Sequence, residues 1–227
     1  MKNFLSKARL IAAISTVTGS SLLAAQSIDS LNWKADYSWK YKVIDGWTDR
    51  EIGSARWTVK KIDHEAYYVD LYGTGGKYSG TLMNHRPIEN GYGEIIRRDG
   101  SHVRALPSGG GNYEYFDIKF PLKIGSNWKY TSYYPGITGG ANGWRDMNCE
   151  ITGLDNIKTP AGSFSTYRID CNGFWHNDGG FAGRVKTSGW YSPDVKWFVK
   201  LIDKFWSHSG GLYGFEELVL VEYKAEP

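Results

Sequence analysis

Histidines are the first side chains whose spacing could indicate metal or acid–base chemistry. They occur singly in the sequence, with no HxH or HExxH motif, at His64, His85, His102, His176 and His208. The densest polar cluster is WHNDGG at residues 175–180, where His176 and Asp178 could share a ligand at a loop tip. A solvated turn explains the same composition, so we predict no metal site and no cofactor.

Paired carboxylates would indicate a hydrolase acting on glycans, because a glycosidase places two acids across a cleft. Glu216 and Glu217 are adjacent, so in a strand their side chains point to opposite faces and cannot form that pair. Other acids are available, but the sequence gives no way to pair them: Asp36, Asp45, Asp49, Glu51, Asp70 and Glu94. We predict no catalytic residue and keep a secreted hydrolase as an alternative.

Aromatic side chains hold the most promise for binding. The chain has 10 Trp, 16 Tyr and 9 Phe, and many of them must pack in a core. Trp144, Trp175 and Tyr213 are expected within or beside glycine-rich loops, where core packing is least expected. Together with His176 they are the predicted ligand-binding residues, as platforms for a glycan or anchors for an envelope protein. The alternative is that these rings cover the open ends of the fold.

Cys149 and Cys171, the two cysteines of the chain, lie on two runs that indicate one hairpin with its turn at residues 160–161. If positions whose numbers sum to 320 face each other, Cys149 lies opposite Cys171, and Ile151 lies opposite Ile169 on the same face. We therefore predict a disulfide, which an oxidising compartment allows. It would stabilise the fold by about 3 kcal/mol. The spacing does not match a redox CxxC motif.

Short aromatic and β-branched runs, separated by Gly, Asn, Asp and Pro, make up the chain from Asp36 onward. They predict strands at residues 36–44, 55–62, 66–73, 79–86, 93–98, 101–106, 113–120, 127–134, 147–153, 164–171, 185–192, 196–205 and 215–224. This spacing favours an all-β fold, either an antiparallel β-sandwich or a curled, barrel-like sheet. The Asp99-Gly100 pair predicts a two-residue type I′ hairpin turn.

Domain boundaries are weakly marked. Two glycine-rich segments, residues 107–112 and 135–144, are predicted to be loops and could separate an N-terminal from a C-terminal half. Neither forces a division, and we predict one β domain over residues 26–227.

The first 25 residues have the layout of a secretory signal peptide, with a basic start, an apolar stretch at residues 10–23, and Ala24 and Ala25 before the expected cleavage. The alternative is a short amphipathic or anchoring helix that is retained. The apolar stretch contains several Ser, Thr and Gly residues and is too polar to span a bilayer. We expect an exported protein, periplasmic or extracellular, without a membrane span.

The formal charge of +3 comes from 27 basic and 24 acidic residues. Three basic residues, Lys2, Lys7 and Arg9, belong to the predicted signal peptide, and removing three from 27 leaves 24 of each sign. Sequence-independent phosphate binding needs a basic surplus, so we expect no nucleic-acid partner. The expected partners are a glycan, an apolar small molecule or an envelope protein. A carrier of an apolar molecule would need an unfilled apolar interior.

Four motifs follow one another in the C-terminal half: FPLKIGSNWKY at residues 120–130, IKTPAGSFSTYRID at 157–170, GWYSPDVKWFVK at 189–200 and FEELVLVEY at 215–223. The progression PLxxGxxW, PAGxF, WYSPxV and a terminal EL resembles a widespread family of exported bacterial β proteins of unknown function. The resemblance covers residues 120–223 and implies an antiparallel β fold in the periplasm, at the envelope or outside. It brings no catalytic residue with it.

Overall fold

The computed structural model describes residues 28–74, 94–105, 112–115, 117–138 and 141–225. The described residues form twelve strands and no helix: β1 (Ser38–Asp45), β2 (Arg50–Ile62), β3 (Ala66–Thr74), β4 (Glu94–Arg97), β5 (His102–Ala105), β6 (Asn112–Tyr115), β7 (Asn127–Thr138), β8 (Ala141–Thr159), β9 (Gly162–Asn177), β10 (Ala182–Ser192), β11 (Trp197–Ser207) and β12 (Leu212–Lys224). Across these ranges no helix is long and apolar enough to cross a membrane. The predicted signal peptide, the predicted strand at residues 79–86 and most of the 107–112 segment lie outside them.

All twelve strands belong to one antiparallel sheet, in the order β6-β5-β4-β3-β2-β1-β12-β11-β10-β9-β8-β7. Two meanders, β1–β6 and β7–β12, are joined where β1 pairs with β12. Among the described strands, β6 and β7 are therefore the edge strands. The predicted all-β fold is confirmed, and of the two forms left open the protein has the curled sheet, which is not closed into a barrel.

The curl of the sheet brings side chains from distant strands around one interior. Trp57 of β2, His102 of β5, Ile169 of β9 and Leu201 of β11 border the same internal space. Because strand side chains alternate, each strand has an inner face toward this interior and an outer face toward solvent.

Two tryptophans, one in β1 and one in the segment before it, form hydrogen bonds with the turn between β10 and β11. The ring centroids of Trp33 and Trp39 lie 4.8 Å apart, and Trp197 is 4.8 Å from Trp33. The indole N–H of Trp33 donates to the Lys196 carbonyl at 2.7 Å, and that of Trp39 donates to the Val195 carbonyl at 2.9 Å. Both buried indoles thus keep a hydrogen-bond partner inside the apolar core.

The hairpin of β8 and β9 carries the predicted disulfide. Cys149 lies opposite Cys171, Ile151 lies opposite Ile169, and the two cysteines are bonded. The pairing shifts by one residue between Ile151 and Gly153, so a β-bulge separates this register from that of the turn. The predicted disulfide and its register are confirmed.

The turn between β4 and β5 lies at the predicted place but has a different form. The Arg97 amide donates to the Ser101 carbonyl at 2.8 Å, and Gly100 has a φ of 88°. Asp99 is not among the residues with positive φ, although a type I′ turn would require it. The prediction of a two-residue turn is wrong: the loop has three residues, with glycine in the left-handed position.

The glycine-rich segment at residues 135–144 is also largely strand. Residues 135–138 continue β7 and residues 141–144 begin β8. The described residues of this segment belong to the paired strands β7 and β8, so the expectation of a loop over all of residues 135–144 is wrong.

Candidate functional site

The four predicted binding residues lie on strands. Trp144 is in β8, Trp175 and His176 are at the end of β9, and Tyr213 is at the start of β12. The strands continue to the turns, since the Asn177 amide still donates to the Phe181 carbonyl at 2.9 Å. The expectation that these residues occupy loops is wrong, because backbone pairing reaches past the glycines that suggested loops.

Strand alternation divides the four residues between the two faces of the sheet. On the outer face, Trp144 lies opposite His176, and their rings stack with centroids 5.3 Å apart and planes 14° apart. On the inner face, Trp175 packs against Tyr213 with centroids 5.7 Å apart. The fold therefore brings the residues together as two pairs.

His176 and Asp178, which could have shared a ligand, have separate partners. His176 Nε2 lies 3.4 Å from Asp146 Oδ2, whereas Asp178 accepts hydrogen bonds from the amide and side chain of Asn142. The described part of the chain has no group of three or more His, Cys, Asp or Glu residues placed to hold a metal ion.

The Trp175 side chain forms a hydrogen bond with the backbone of another strand. Its indole N–H donates to the Trp206 carbonyl on β11 at 3.1 Å, although β10 runs between the two strands. Gly183 of β10 makes this possible, because a Cβ at that position would meet both the Trp206 carbonyl oxygen and the Trp175 ring nitrogen. Trp175 and Tyr213 thus pack, partly buried, against the core of the fold.

The outer face at the same end carries side chains aligned across neighbouring strands. In the first row, which we call the aromatic row, Phe174 lies opposite Asp146 and Arg184, and Arg184 lies opposite Trp206. The second row, the amide–lysine row, comprises Asn148, Asn172, Lys186 and Lys204. Two residues of strand separate the rows, a distance of about 7 Å. We call the two rows together the outer platform, and the Trp144–His176 stack borders it.

Phe174 stands out from the middle of the outer platform with 63% of its surface exposed. On one side of it is a groove of about 470 Å³, bordered by Asn148, Asn172, Arg184 and Trp206. Another groove, of about 350 Å³, lies on the side of His176 and shares Phe174 and Arg184. The surface therefore offers open aromatic rings beside amide and guanidinium donors.

The interior beneath this end of the sheet holds a second polar cluster. Asp203 of β11 lies opposite Glu216 of β12, and both are 3% exposed. The Arg145 guanidinium lies 4.6 Å from the centre of the Phe205 ring, and the Thr187 hydroxyl donates to Asp203 at 2.7 Å. Burial raises the pKa of Asp203 above its ordinary value; the Asp117 and Glu216 carboxylates add to the rise, and Arg145 opposes it.

A histidine–glutamate pair borders the same interior space. His102 Nδ1 lies 2.6 Å from Glu94 Oε1, and each side chain is 1% exposed. The space that these groups share with Asp203 measures about 30 Å³. This volume suits one or two water molecules, so the carboxyl pair of Asp203 and Glu216 does not line an open cleft.

Phe174, Arg184 and Trp206 were not predicted from the sequence. The signal was the alternation of residues 172–176, in which Phe174 and His176 occupy one face and Trp175 the other. Extending strand periodicity through WHNDGG would have placed Phe174 outside. The partners on β10 and β11 depend on register, which no local pattern reveals.

No protein-family model and no curated protein sequence matches the chain. Its structure is similar to that of a candidate lipoprotein from Parabacteroides distasonis, with a TM-score of 0.53 and 14% identity over 88% of this chain and all of the other. It is also similar to a candidate exported protein with a YmcC-like fold from Bacteroides fragilis, with a TM-score of 0.51 and 13% identity over 86% of this chain and 99% of the other. At these identities the similarity establishes a shared fold.

A third similar structure is the hypothetical lipoprotein YmcC from Escherichia coli, with a TM-score of 0.39 and 10% identity over 82% of this chain and 84% of the other.

Proposed function

We propose that this protein is an exported, non-catalytic β protein that binds a glycan on its outer platform. The observation that carries the proposal is the exposure of Phe174, an apolar ring 63% open to solvent between two grooves. One face of a sugar ring presents C–H groups that pack on an aromatic ring, while its hydroxyls need hydrogen-bond partners at the edge. Asn148 and Asn172 stand beside Phe174 in the groove and supply such partners.

Export is supported by three independent features. The first 25 residues have the layout of a signal peptide. Cys149 and Cys171 are joined, as suits an oxidising compartment. Of the similar structures, the two with a TM-score above 0.5 are a candidate lipoprotein and a candidate exported protein. We place the protein in the periplasm or outside the cell, as a single β domain over residues 26–227.

A glycan fits this surface better than an envelope protein does. The core of a protein–protein interface is depleted in charged residues. On the outer platform, the exposed Phe174 lies between Asp146 and Arg184, and the half-buried Trp206 lies opposite Arg184. Aromatic rings that are separated by amides and cations suit a glycan, because each sugar unit has an apolar face and a polar edge.

The two other functions have less support. A glycan hydrolase would use a carboxyl pair such as Asp203 and Glu216, but these are 3% exposed beside a space of about 30 Å³. A carrier of an apolar molecule needs several hundred Å³ of apolar interior. The interior space found among the described residues is small and is bordered by Glu94, His102 and Asp203.

A glycan array probed with the full chain, expressed with its export segment, tests the proposal. We expect binding to a subset of glycans, and about a tenfold weaker signal for Phe174→Ala, since a central aromatic anchor commonly dominates binding. Tyr72→Ala is the matched control, because Tyr72 is an aromatic residue 68% exposed on β3. The proposal fails if no glycan binds, or if both variants bind like the wild type. Binding of an envelope protein to the outer platform, in place of a glycan, would overturn the proposal of glycan binding.

A further inference from the structure

We infer that the glycan bound by the outer platform is acidic, with carboxylate or phosphate groups on its sugar units. The inference rests on the proposed function and adds the ligand's charge. It starts from three cations of the platform: Arg184, Lys186 and Lys204.

Two of these cations lie directly opposite each other. Lys186 of β10 is the register partner of Lys204 of β11, and Arg184 lies two residues from Lys186 on the same face. Like charges directly opposite across a sheet destabilise the pairing. Residues 26–227 contain equal numbers of acids and bases, so this local surplus is a feature of the site and does not reflect overall composition.

Two bases elsewhere on the outer face of the neighbouring strands form ion pairs. On β9, Arg168 Nε lies 2.9 Å from Asp170 Oδ2. On β11, Lys200 Nζ lies 2.7 Å from Glu217 Oε2. By contrast, neither Arg184 nor Lys186 forms an ion pair with any acid in the described part of the chain.

The carboxylate in the aromatic row is already engaged. Asp146 accepts a hydrogen bond from the Thr131 hydroxyl at 2.6 Å, and its other oxygen lies 3.4 Å from His176 Nε2. Asp146 therefore lies at the β8 side of the platform, with Phe174 between it and Arg184 in the row. The surface on the other side of Phe174 remains cationic.

The positions of the cations suit an anionic group on a stacked sugar. Arg184 is the register neighbour of Phe174, and Lys186 stands in the adjacent row about 7 Å away. A sugar ring on Phe174 would place a ring substituent within reach of the guanidinium, whose planar fork matches carboxylate and phosphate oxygens. Asn172, next to Lys186 in its row, is placed to bind a hydroxyl.

An array that holds acidic glycans and their neutral counterparts tests the inference. Methyl esters serve as counterparts for uronic acids, and dephosphorylated forms serve for phosphorylated glycans. We expect the wild type to prefer the acidic members, and the preference to weaken between 0.05 and 0.5 M salt, as screening predicts. The double variant Arg184→Gln, Lys186→Gln should lose about tenfold in affinity for acidic glycans, with little change for neutral ones.

Two further variants separate charge from stacking. Phe174→Ala should weaken the binding of acidic and neutral glycans alike. Lys158→Gln, an exposed lysine near the other end of β8, should change neither.

Each remaining outcome has a defined consequence. If neutral glycans bind as tightly as acidic ones, the inference on charge is overturned while glycan binding stands. If no glycan binds, the proposed function fails and the inference fails with it. If poly-glutamate binds as tightly as the acidic glycans, the platform recognises negative charge without recognising a sugar, and the inference is overturned. If the double variant still prefers acidic over neutral glycans, Arg184 and Lys186 do not recognise the acidic group, and the inference is also overturned.

Discussion

Arg145 and Arg184 form similar contacts on opposite faces of the same end of the sheet. Arg145 lies 4.6 Å from the Phe205 ring on the inner face, and Arg184 lies 5.9 Å from the Trp206 ring on the outer face. The two aromatic partners are adjacent in β11, so strand alternation alone separates them. Arg145 is 7% exposed, whereas Arg184 is exposed to solvent.

This difference separates a structural role from a binding role. The inner arginine belongs to a buried cluster that includes Asp203, where an unbalanced charge would be costly. The outer arginine has water around it and can exchange that water for a ligand at low cost. We therefore expect changes to the inner face to affect folding, and changes to the outer face to affect binding.

The largest expected effect is the removal of the inner cation. Arg145→Met should lower the free energy of unfolding by about 3 kcal/mol, because it removes a buried cation whose charge favours the ionised form of the buried Asp203 carboxyl. Arg184→Met, the matched change on the outer face, should stay within about 0.5 kcal/mol of the wild type. Urea denaturation of the two variants measures both values, and equal losses would contradict the division between the faces.

The next effect concerns the support of Trp175. Gly183→Ala should destabilise the protein by about 1–3 kcal/mol, because the added Cβ meets the Trp206 carbonyl. Gly153→Ala on β8 is the control, since a Cβ there has no atom within 4 Å. Thermal unfolding followed by near-UV circular dichroism would show both effects. If the Gly183→Ala variant were as stable as the control, the structural role assigned to Trp175 would be contradicted.

A smaller effect, visible as a function of pH, should come from Asp203. Its raised pKa means that the folded protein holds this proton more tightly than the unfolded chain does. The stabilisation is therefore complete below the unfolded-state pKa of about 3.9 and is lost as the pH rises through the folded-state pKa. Asp203→Asn should gain stability relative to the wild type as the pH rises. Urea titrations at several pH values test this, and a constant difference between the two proteins would be evidence against the buried acid.

The smallest effect on stability is expected at Phe174. Phe174→Ala should change the free energy of unfolding by less than about 0.5 kcal/mol, because the ring is mostly in water. A loss above 1 kcal/mol in chemical denaturation would mean that the ring packs against the protein and is not available to a ligand.

Sequence patterns were sufficient to predict the fold class and most of the strands, but not the order of the strands in the sheet. Alternation predicted the strands, and the numbering rule for the hairpin placed Cys149 opposite Cys171. A two-residue turn at 160–161 alone gives pairs that sum to 321, as for Thr159 and Gly162, and the β-bulge after Ile151 restores 320 at the cysteines. A bulge of this kind depends on tertiary packing, which a local pattern does not encode.

The candidate site was predicted only in part. Trp144 was identified from nearby glycines and His176 from the polar cluster at residues 175–180, and they meet because the β8–β9 register aligns them. Trp175 was grouped with them, although strand alternation puts it on the inner face. Arg184 and Trp206 come from strands whose alignment depends on the whole sheet, so their proximity to Phe174 followed only from the structure.

Tryptophan indole signals give the most direct test of the central claim, that a glycan binds the outer platform. The measurement is a ¹H–¹⁵N spectrum during titration with the acidic oligosaccharide that binds most strongly on the array. We predict that the Trp206 and Trp144 indole signals move with the titration, while those of the buried Trp39 and Trp57 stay in place. Movement confined to signals from the inner face, or no movement at saturating oligosaccharide, would contradict the account.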